Sequence, residues 1–138
     1  MQAVRVLVVD DFERWRIVVS AMLGEIPGLH VIAEASNGEE AVQKALDLQP
    51  DLVLLDIGLP YLNGIEVAKQ IRRLCRDCKI VFLTENRCCD VAEEALRTGA
   101  SGYILKNRAD SELITALKAV LENEQFLSPN LTALTMSP

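Results

Sequence analysis

Polar side chains that could interact with a phosphoryl group follow four short apolar runs of this 138-residue chain. A carboxylate can act as a nucleophile, further carboxylates can hold a divalent cation, and a hydroxyl and an ammonium can neutralise phosphoryl oxygens. If the runs are parallel strands, their carboxyl ends meet at one edge of a sheet, which is where open α/β sheets bind ligands. The runs and the residues after them are 4–9 with Asp10 and Asp11, 52–55 with Asp56, 80–83 with Thr84, and 103–105 with Lys106.

Asp56 is the candidate nucleophile of this set. It follows an apolar run and precedes the segment Ile-Gly-Leu-Pro at 57–60, so we expect its carboxylate to project from the sheet edge into a loop. Attack of that carboxylate on phosphorus would form an aspartyl phosphate, a covalent intermediate that carboxylates can make. Asp10 and Asp11 would repel Asp56 and disfavour its ionisation unless a cation lay among them. Mg²⁺ fits this requirement, because it prefers oxygen ligands and commonly combines one or two carboxylates with a phosphate.

Thr84 and Lys106 would complete such a site, because phosphoryl transfer depends mainly on positioning and on neutralising the phosphoryl oxygens. Each residue taken alone also has an ordinary explanation. An aspartate after a strand is usually a turn residue, a threonine at a strand end is a common β-former, and a lysine after a strand usually faces solvent. Their occurrence together, in order on successive strand ends, favours the functional interpretation.

Apolar runs alternate with helical patterns along the chain, which is typical of a parallel α/β sheet. The run 52–55 is continuously apolar, as expected for a central strand that helices cover on both faces. Five strands and five helices account for the residues up to Glu122, and the last helix is predicted to begin at a cap on Asp110 or Ser111. We therefore predict one domain over residues 1–123 and a C-terminal linker or tail over 124–138, which carries two prolines and no clear period.

Composition and charge narrow the class of protein. Half of the residues are hydrophobic, a quarter are charged and the net charge is -6, which is typical of a globular domain. Lys and Arg form no cluster, so we expect no direct nucleic-acid binding by this chain. No apolar stretch is long enough to cross a bilayer and the N-terminus has no signal-peptide pattern, so a cytoplasmic protein without membrane contact is expected.

The four cysteines occur as two pairs, Cys75 with Cys78 and Cys88 with Cys89. A zinc site would need all four around one ion. The predicted strand 79–83 separates the pairs by on the order of 15 Å, at opposite ends of the sheet, which argues against zinc. We interpret the cysteines as reduced thiols and keep open a redox pairing of Cys75 with Cys78.

The single tryptophan and the single histidine are not expected to act in catalysis. Trp15 follows the acidic pair by four residues, and its expected role is packing on the first helix, from where its fluorescence could report on the pocket. His30 begins the predicted second strand, at the sheet end away from the candidate site. The site therefore has no histidine nucleophile or general base.

With these residues the chain resembles the receiver domains of two-component response regulators, over residues 3 to about 128. The resemblance rests on short motifs at strand ends and in the loops that follow them. The matching residues are Val8-Val9-Asp10-Asp11, Asp56-Ile57-Gly58-Leu59-Pro60, Asn63-Gly64, Thr84, the segment Thr-Gly-Ala-Ser-Gly-Tyr at 98–103, and Lys106. The resemblance implies a flavodoxin-like three-layer sandwich, in which a five-stranded parallel sheet lies between two helical layers.

The resemblance also implies a role for each site residue. Asp56 would accept a phosphoryl group from a sensor histidine kinase, and Thr84 and Lys106 would contact the phosphoryl oxygens. The implied Mg²⁺ ligands are Asp10, Asp11, Asp56 and the main-chain carbonyl of Gly58. Such a domain is not an enzyme for a separate substrate, because it catalyses only its own phosphorylation and dephosphorylation.

A conformational switch from Thr84 to Tyr103 is a further implication of the resemblance. On phosphorylation, Thr84 would move toward the phosphoryl group and Tyr103 would turn inward. This would repack the surface made by the fourth helix, the fifth strand and the fifth helix, where partners or a second copy of the chain would bind. A strand tyrosine can also have a structural role alone, and that alternative stays open.

Two segments resemble the NarL/FixJ-type branch of the family: Gly-Tyr-Ile-Leu-Lys at 102–106 and Phe-Leu-Ser-Pro at 126–129. Members of that branch usually continue into a helix-turn-helix DNA-binding domain, which this sequence does not contain. Two interpretations are open. The domain controls a transcriptional output domain outside this chain, or it is a single-domain regulator that acts through protein contacts.

Two other functions compete with a phosphorylation switch. A phosphatase with Asp56 as its nucleophile would need a second acid two residues later to protonate the leaving group, and Gly58 stands there. A pseudo-receiver would keep the fold as an interaction module, which the intact set of site residues argues against. Glu85 stands where the family generally has a small residue, and we expect its charge to repel phosphodonors and slow phosphorylation. Phe12 and Asn107 also depart from the family pattern, so a cis peptide after Lys106 is not assumed.

Overall fold

Strands and helices alternate throughout residues 3–128, the part of the chain that the computed structural model describes. The strands are β1 (Val4–Val9), β2 (Leu29–Ala35), β3 (Leu52–Leu55), β4 (Lys79–Thr84), β5 (Gly102–Leu105) and β6 (Phe126–Leu127). The helices are α1 (Glu13–Leu23), α2 (Gly38–Leu48), α3 (Gly64–Leu74), α4 (Cys89–Arg97) and α5 (Ala109–Leu121), with a 3-10 turn at Lys106–Arg108. All strands are parallel, in the order β2-β1-β3-β4-β5-β6.

Helices cover both faces of the sheet, as the apolar run 52–55 predicts. All four side chains of β3 are buried and alternate between two cores. Val53 and Leu55 pack in a cluster with residues of α2, α3 and α4, whereas Leu52 and Leu54 pack in a cluster with residues of α1 and α5. The predicted α/β sandwich with a parallel sheet between two helical layers is therefore confirmed.

The sheet has one strand more than the five predicted. Phe126 and Leu127 of β6 pair with Gly102 and Tyr103 of β5, and Ser128 is fully buried. These residues belong to the segment 124–138 that the sequence analysis assigned to a linker or tail. A two-residue strand is too short to show an alternating pattern, which is why the sequence did not reveal it. Residues 129–138 lie outside the described part of the chain.

A capping side chain begins two of the helices, α2 and α3, but not α5. Asn37 and Asn63 cap α2 and α3, because their side chains accept hydrogen bonds from main-chain N–H groups of the first turn. The predicted cap of α5 at Asp110 or Ser111 is wrong. That helix begins at Ala109, directly out of the 3-10 turn, so the preceding turn takes the place of a capping side chain.

The cysteines are free thiols in this structure. Cys75 and Cys78 are buried, and burial together with the neighbouring Cys75 raises the pKa of the Cys78 thiol to about 12. Cys88 is exposed and Cys89 is half-buried at the start of α4. Within residues 3–128, no helix is long and apolar enough to cross a membrane.

Candidate functional site

The register of the sheet brings the predicted site residues to one edge. Val9 pairs with Leu55 at the ends of β1 and β3, and Thr84 pairs with Leu105 at the ends of β4 and β5. The residues that follow therefore meet at the carboxyl edge, around an open cavity of about 470 Å³. Its lining residues are Asp11, Phe12, Asp56, Gly58, Thr84, Glu85, Asn86 and Lys106.

Asp56 is held from its main chain and its side chain. Its N–H donates to the carbonyl of Val9 at 3.1 Å, which joins the loop after β3 to the end of β1. One carboxylate oxygen, Oδ1, accepts from the N–H of Gly58 at 3.2 Å. The start of α3 lies so close that a Cβ on Gly64 would come within 2.1 Å of the Asp56 carbonyl oxygen, so only glycine fits there. The candidate nucleophile is thus held by the end of β1, by the loop after β3 and by the start of α3.

The Lys106 ammonium bridges two carboxylates. Its Nζ lies 2.6 Å from Oδ2 of Asp10 and 3.1 Å from Oδ2 of Asp56. It also lies 5.4 Å from the centre of the Trp15 ring, within range of a cation–π contact. Burial alone would lower the pKa of Lys106, but the hydrogen bond that it donates to Asp10 and the charges of both aspartates raise it above its usual value. Lys106 is therefore a permanent positive charge at neutral pH.

The two aspartates at the end of β1 differ in environment. Asp10 is buried, with 2% of its surface exposed, and its Oδ1 accepts from the N–H of Phe12 at 2.9 Å. Burial raises the pKa of Asp10, an effect that the hydrogen bond from Lys106 opposes. Asp11 is exposed on the cavity wall. The sequence could not assign these different positions, because they depend on how the loop turns after β1.

Three carboxylates in this site could share one cation. Asp10, Asp11 and Asp56 each offer an oxygen, and these oxygens lie within 4.8 Å of one another. Together with the Lys106 ammonium they leave two uncompensated negative charges when all are ionised. A hard divalent cation that prefers oxygen ligands, such as Mg²⁺, fits both the charge and the donor atoms. The zinc alternative has no comparable group of thiols among residues 3–128.

Thr84 and Tyr103 are connected through Asn86. Thr84 is buried, and its hydroxyl oxygen accepts from the N–H of Asn86 at 3.3 Å. The Tyr103 hydroxyl donates to the carbonyl of Asn86 at 2.8 Å. Tyr103 has no exposed surface, and burial raises the pKa of its hydroxyl, which keeps it a neutral donor. The inward position that the sequence analysis expected only after phosphorylation is therefore already adopted here.

Two side chains of α1 have contacts that the sequence analysis did not anticipate. Trp15, expected to pack on the first helix, is half-buried and faces Lys106 as well as the core. Arg16 donates to the carbonyl of Asp10. The spacing of four or five residues after the acidic pair places both beside the β1 end, but charged and aromatic residues on a first helix have many other uses. His30 is exposed at the start of β2, opposite Arg5 and away from the site.

Comparison with known proteins identifies the family. The sequence model of the response regulator receiver domain matches residues 6–118. The chain belongs to this family. It is 35% identical over 128 residues to the response regulator GacA of Pseudomonas viridiflava, and the aligned residues cover 93% of this chain and 60% of GacA. It is also 35% identical to the nitrate/nitrite response regulator NarL of Escherichia coli over 127 residues, and these residues cover 92% of this chain and 59% of NarL.

A solved receiver structure agrees with the fold of this domain. The crystal structure of a LuxR-family response regulator from Aurantimonas sp. SI85-9A1 superimposes with a TM-score of 0.92 at 30% identity, covering 97% of this chain and 96% of that one. The predicted family, its NarL/FixJ-type branch and its fold are confirmed. The receiver domain described here spans about 60% of the length of the curated relatives it matches.

Proposed function

We propose that this receiver domain accepts a phosphoryl group on Asp56 from a sensor histidine kinase, in a reaction that depends on Mg²⁺. The observation that carries the proposal is the bridge from Lys106 to Asp56 and Asp10 inside a group of three carboxylates. A purely structural aspartate after a strand would cap a turn and would not be set among two further carboxylates and a buried ammonium.

The chemistry requires a nucleophile and compensation of charge. One carboxylate oxygen of Asp56 forms the bond to phosphorus while the P–N bond of the donor phosphohistidine breaks and leaves its imidazole. Lys106 contacts a phosphoryl oxygen with its ammonium, and Thr84 donates a hydrogen bond to another after it gives up its contact with Asn86. The aspartyl phosphate is then hydrolysed, so the domain turns over no separate substrate.

The residues for a metal ion are the three carboxylates already described. Asp10, Asp11 and Asp56 would hold Mg²⁺ with the main-chain carbonyl of Gly58, which lines the same cavity. The ion would neutralise the repulsion between the incoming phosphoryl group and the carboxylates. Because Asp10 and Asp56 already share Lys106, metal binding adds charge compensation mainly where Asp11 is exposed.

The output of the switch would be the surface formed by α4, β5 and α5. Movement of Thr84 changes the position of Asn86, and the hydroxyl of Tyr103 on β5 is attached to the same residue. A second copy of the chain or another partner would bind to the altered surface. The domain would work in the cytoplasm and control a transcriptional output domain outside this chain, as the names of its transcriptional relatives suggest.

Intact mass spectrometry tests the proposal directly. The protein is incubated with acetyl phosphate or phosphoramidate, with and without Mg²⁺, and compared with Asp56→Asn. We expect a gain of one phosphoryl group that requires Mg²⁺ and is absent from the variant. Thr84→Ala is a matched control, since it keeps the nucleophile and should still be modified, but more slowly. No adduct on the unaltered protein with either donor would refute the proposal.

A further inference from the structure

Arg16 connects the acidic loop to the neighbouring strand. Its Nη1 donates to the main-chain carbonyl of Asp10 at 2.7 Å, and its Nε donates to Oε1 of Glu34 on β2 at 2.9 Å. Only 15% of the Arg16 side chain is exposed, although it comes from a helix whose outer face is in solvent. The planar guanidinium can make these two bonds in fixed relative directions, which an ammonium cannot do.

Each polar group of Asp10 has a hydrogen-bond partner. Its N–H donates to the carbonyl of Ala35 at 3.0 Å. Its carboxylate oxygens accept from the N–H of Phe12 and from Lys106. The bond from Arg16 differs from these three, because it acts on the carbonyl of the peptide that joins Asp10 to Asp11. That peptide is planar, so fixing its carbonyl also fixes the direction in which Asp11 leaves the loop.

We propose that Arg16, oriented by Glu34, is a positioning residue for the Asp10–Asp11 peptide and thereby raises the affinity of the site for Mg²⁺. The inference rests on the proposed function, since it concerns the same metal site. Arg16 touches neither the carboxylate oxygens of the site nor any reacting atom. Its effect is to keep the exposed carboxylate of Asp11 within reach of the other two.

Charge and positioning predict opposite results when Arg16 is replaced. As a nearby positive charge, Arg16 repels a divalent cation, so its removal should by itself tighten Mg²⁺ binding. As a positioning residue it should do the reverse, because its removal frees the peptide that holds Asp11. The sign of the change in Mg²⁺ affinity therefore distinguishes a charge effect of Arg16 from a positioning effect.

Isothermal titration calorimetry with Mg²⁺ alone provides this sign. The variants are Arg16→Met, Arg16→Lys and the control Arg14→Met, which removes the same charge from an exposed position on the same helix. We expect the Mg²⁺ dissociation constant to rise about tenfold in Arg16→Met relative to Arg14→Met, in the range for partners of metal ligands. Arg16→Lys keeps the charge and one donor, so it should bind with an intermediate constant.

The unfolding free energy in EDTA, measured on the same variants, separates positioning from a loss of folding. If Arg16→Met does not fold, the comparison of Arg16→Lys with the unaltered protein replaces it, and an unchanged dissociation constant overturns the inference. If Arg16→Met folds and binds Mg²⁺ as tightly as Arg14→Met or more tightly, the inference is overturned while the proposed function stands. If the unaltered protein binds no Mg²⁺, both fail.

Discussion

Replacing Lys106 with methionine should destabilise the domain in a way that depends on pH and Mg²⁺. The ammonium lies 2.6 Å from Asp10 and 3.1 Å from Asp56, and the three side chains are 11%, 3% and 8% exposed. Methionine keeps the length of the side chain and much of its contact with Trp15, but it removes the charge. Two buried carboxylates then lose the positive charge that they share.

The expected loss follows from the two short distances. Each of the two pairs of unit charges, about 3 Å apart, attracts by about 5 kcal/mol at an effective dielectric constant near 20. Desolvation of the ammonium offsets most of this, and methionine does not carry that cost. We therefore expect the free energy of unfolding to fall by about 3 kcal/mol at pH 8 without divalent ions.

The pH dependence has a definite sign. Burial raises the folded-state pKa of Asp10 above its ordinary value of 3.8, and Lys106 opposes that rise. A carboxyl with a raised pKa binds more protons in the folded state, so stability falls as pH rises through the window between the two values. Without Lys106 the pKa of Asp10 moves higher and the window widens. The unfolding free energy that Lys106→Met loses relative to the unaltered protein should therefore be smaller at pH 5 than at pH 8.

Urea unfolding followed by Trp15 fluorescence and by circular dichroism measures the effect at both pH values, with EDTA or with Mg²⁺. Mg²⁺ should reduce the deficit, because a divalent ion supplies the charge that the lysine gave. Lys69→Met is the control, since the ion pair of Lys69 with Glu66 on α3 is exposed. A deficit that is equal at both pH values and unaffected by Mg²⁺ would mean that lost packing, not charge, destabilises the variant.

Three further predictions concern the cavity wall, the switch and the sixth strand. Glu85→Ala should speed phosphorylation by small donors on the order of threefold, because a negative charge leaves the entrance; an unchanged rate in a stopped-flow assay, with Glu85→Gln as the matched variant, would contradict this. Tyr103→Phe should lower the free energy of unfolding by about 1 kcal/mol through the lost bond to Asn86, and hydrogen exchange after β4 should increase. Ser128→Ala should cost about 2 kcal/mol in urea unfolding, against almost nothing for the exposed Ser111→Ala, because two buried partners lose their hydrogen bond.

The core strands could be predicted because several independent signals agree in them. The continuous apolar run of β3 requires cover on both faces, and the polar residue after each run marks the strand end. β6 is too short to form such a run, although the polar Ser128 follows it. Its two residues are held by main-chain pairing with β5 and by Ser128, whose hydroxyl accepts from the N–H of Leu105 and donates to Glu112. Glu112 and Leu105 lie 16 and 23 residues before Ser128 in the sequence, so no local pattern predicts these contacts.

Some residues of the candidate site could be placed from the sheet topology, whereas other contacts depend on how far a side chain reaches. In a parallel sheet, topology alone determines that Asp10, Asp56 and Lys106 meet at one edge, so their positions in sequence are sufficient to place them. Arg16 on α1 reaches the acidic loop through a contact that depends on its side-chain conformation, and it also bonds Glu34 on β2. A long charged side chain on a first helix normally predicts a solvent-facing position.

The requirements of function and of stability oppose each other in this site. Three carboxylates gathered at a strand edge repel one another, and burial makes the ionised form of Asp10 more costly still. Lys106 bridges two of them, but its single charge leaves two negative charges uncompensated, and the exposed Asp11 is the place where a divalent ion would add most. An ion that binds the folded domain and not the unfolded chain would raise the free energy of unfolding by mass action. Neutralising Asp10 with asparagine should therefore stabilise the metal-free fold while weakening the metal affinity that the proposed phosphorylation requires.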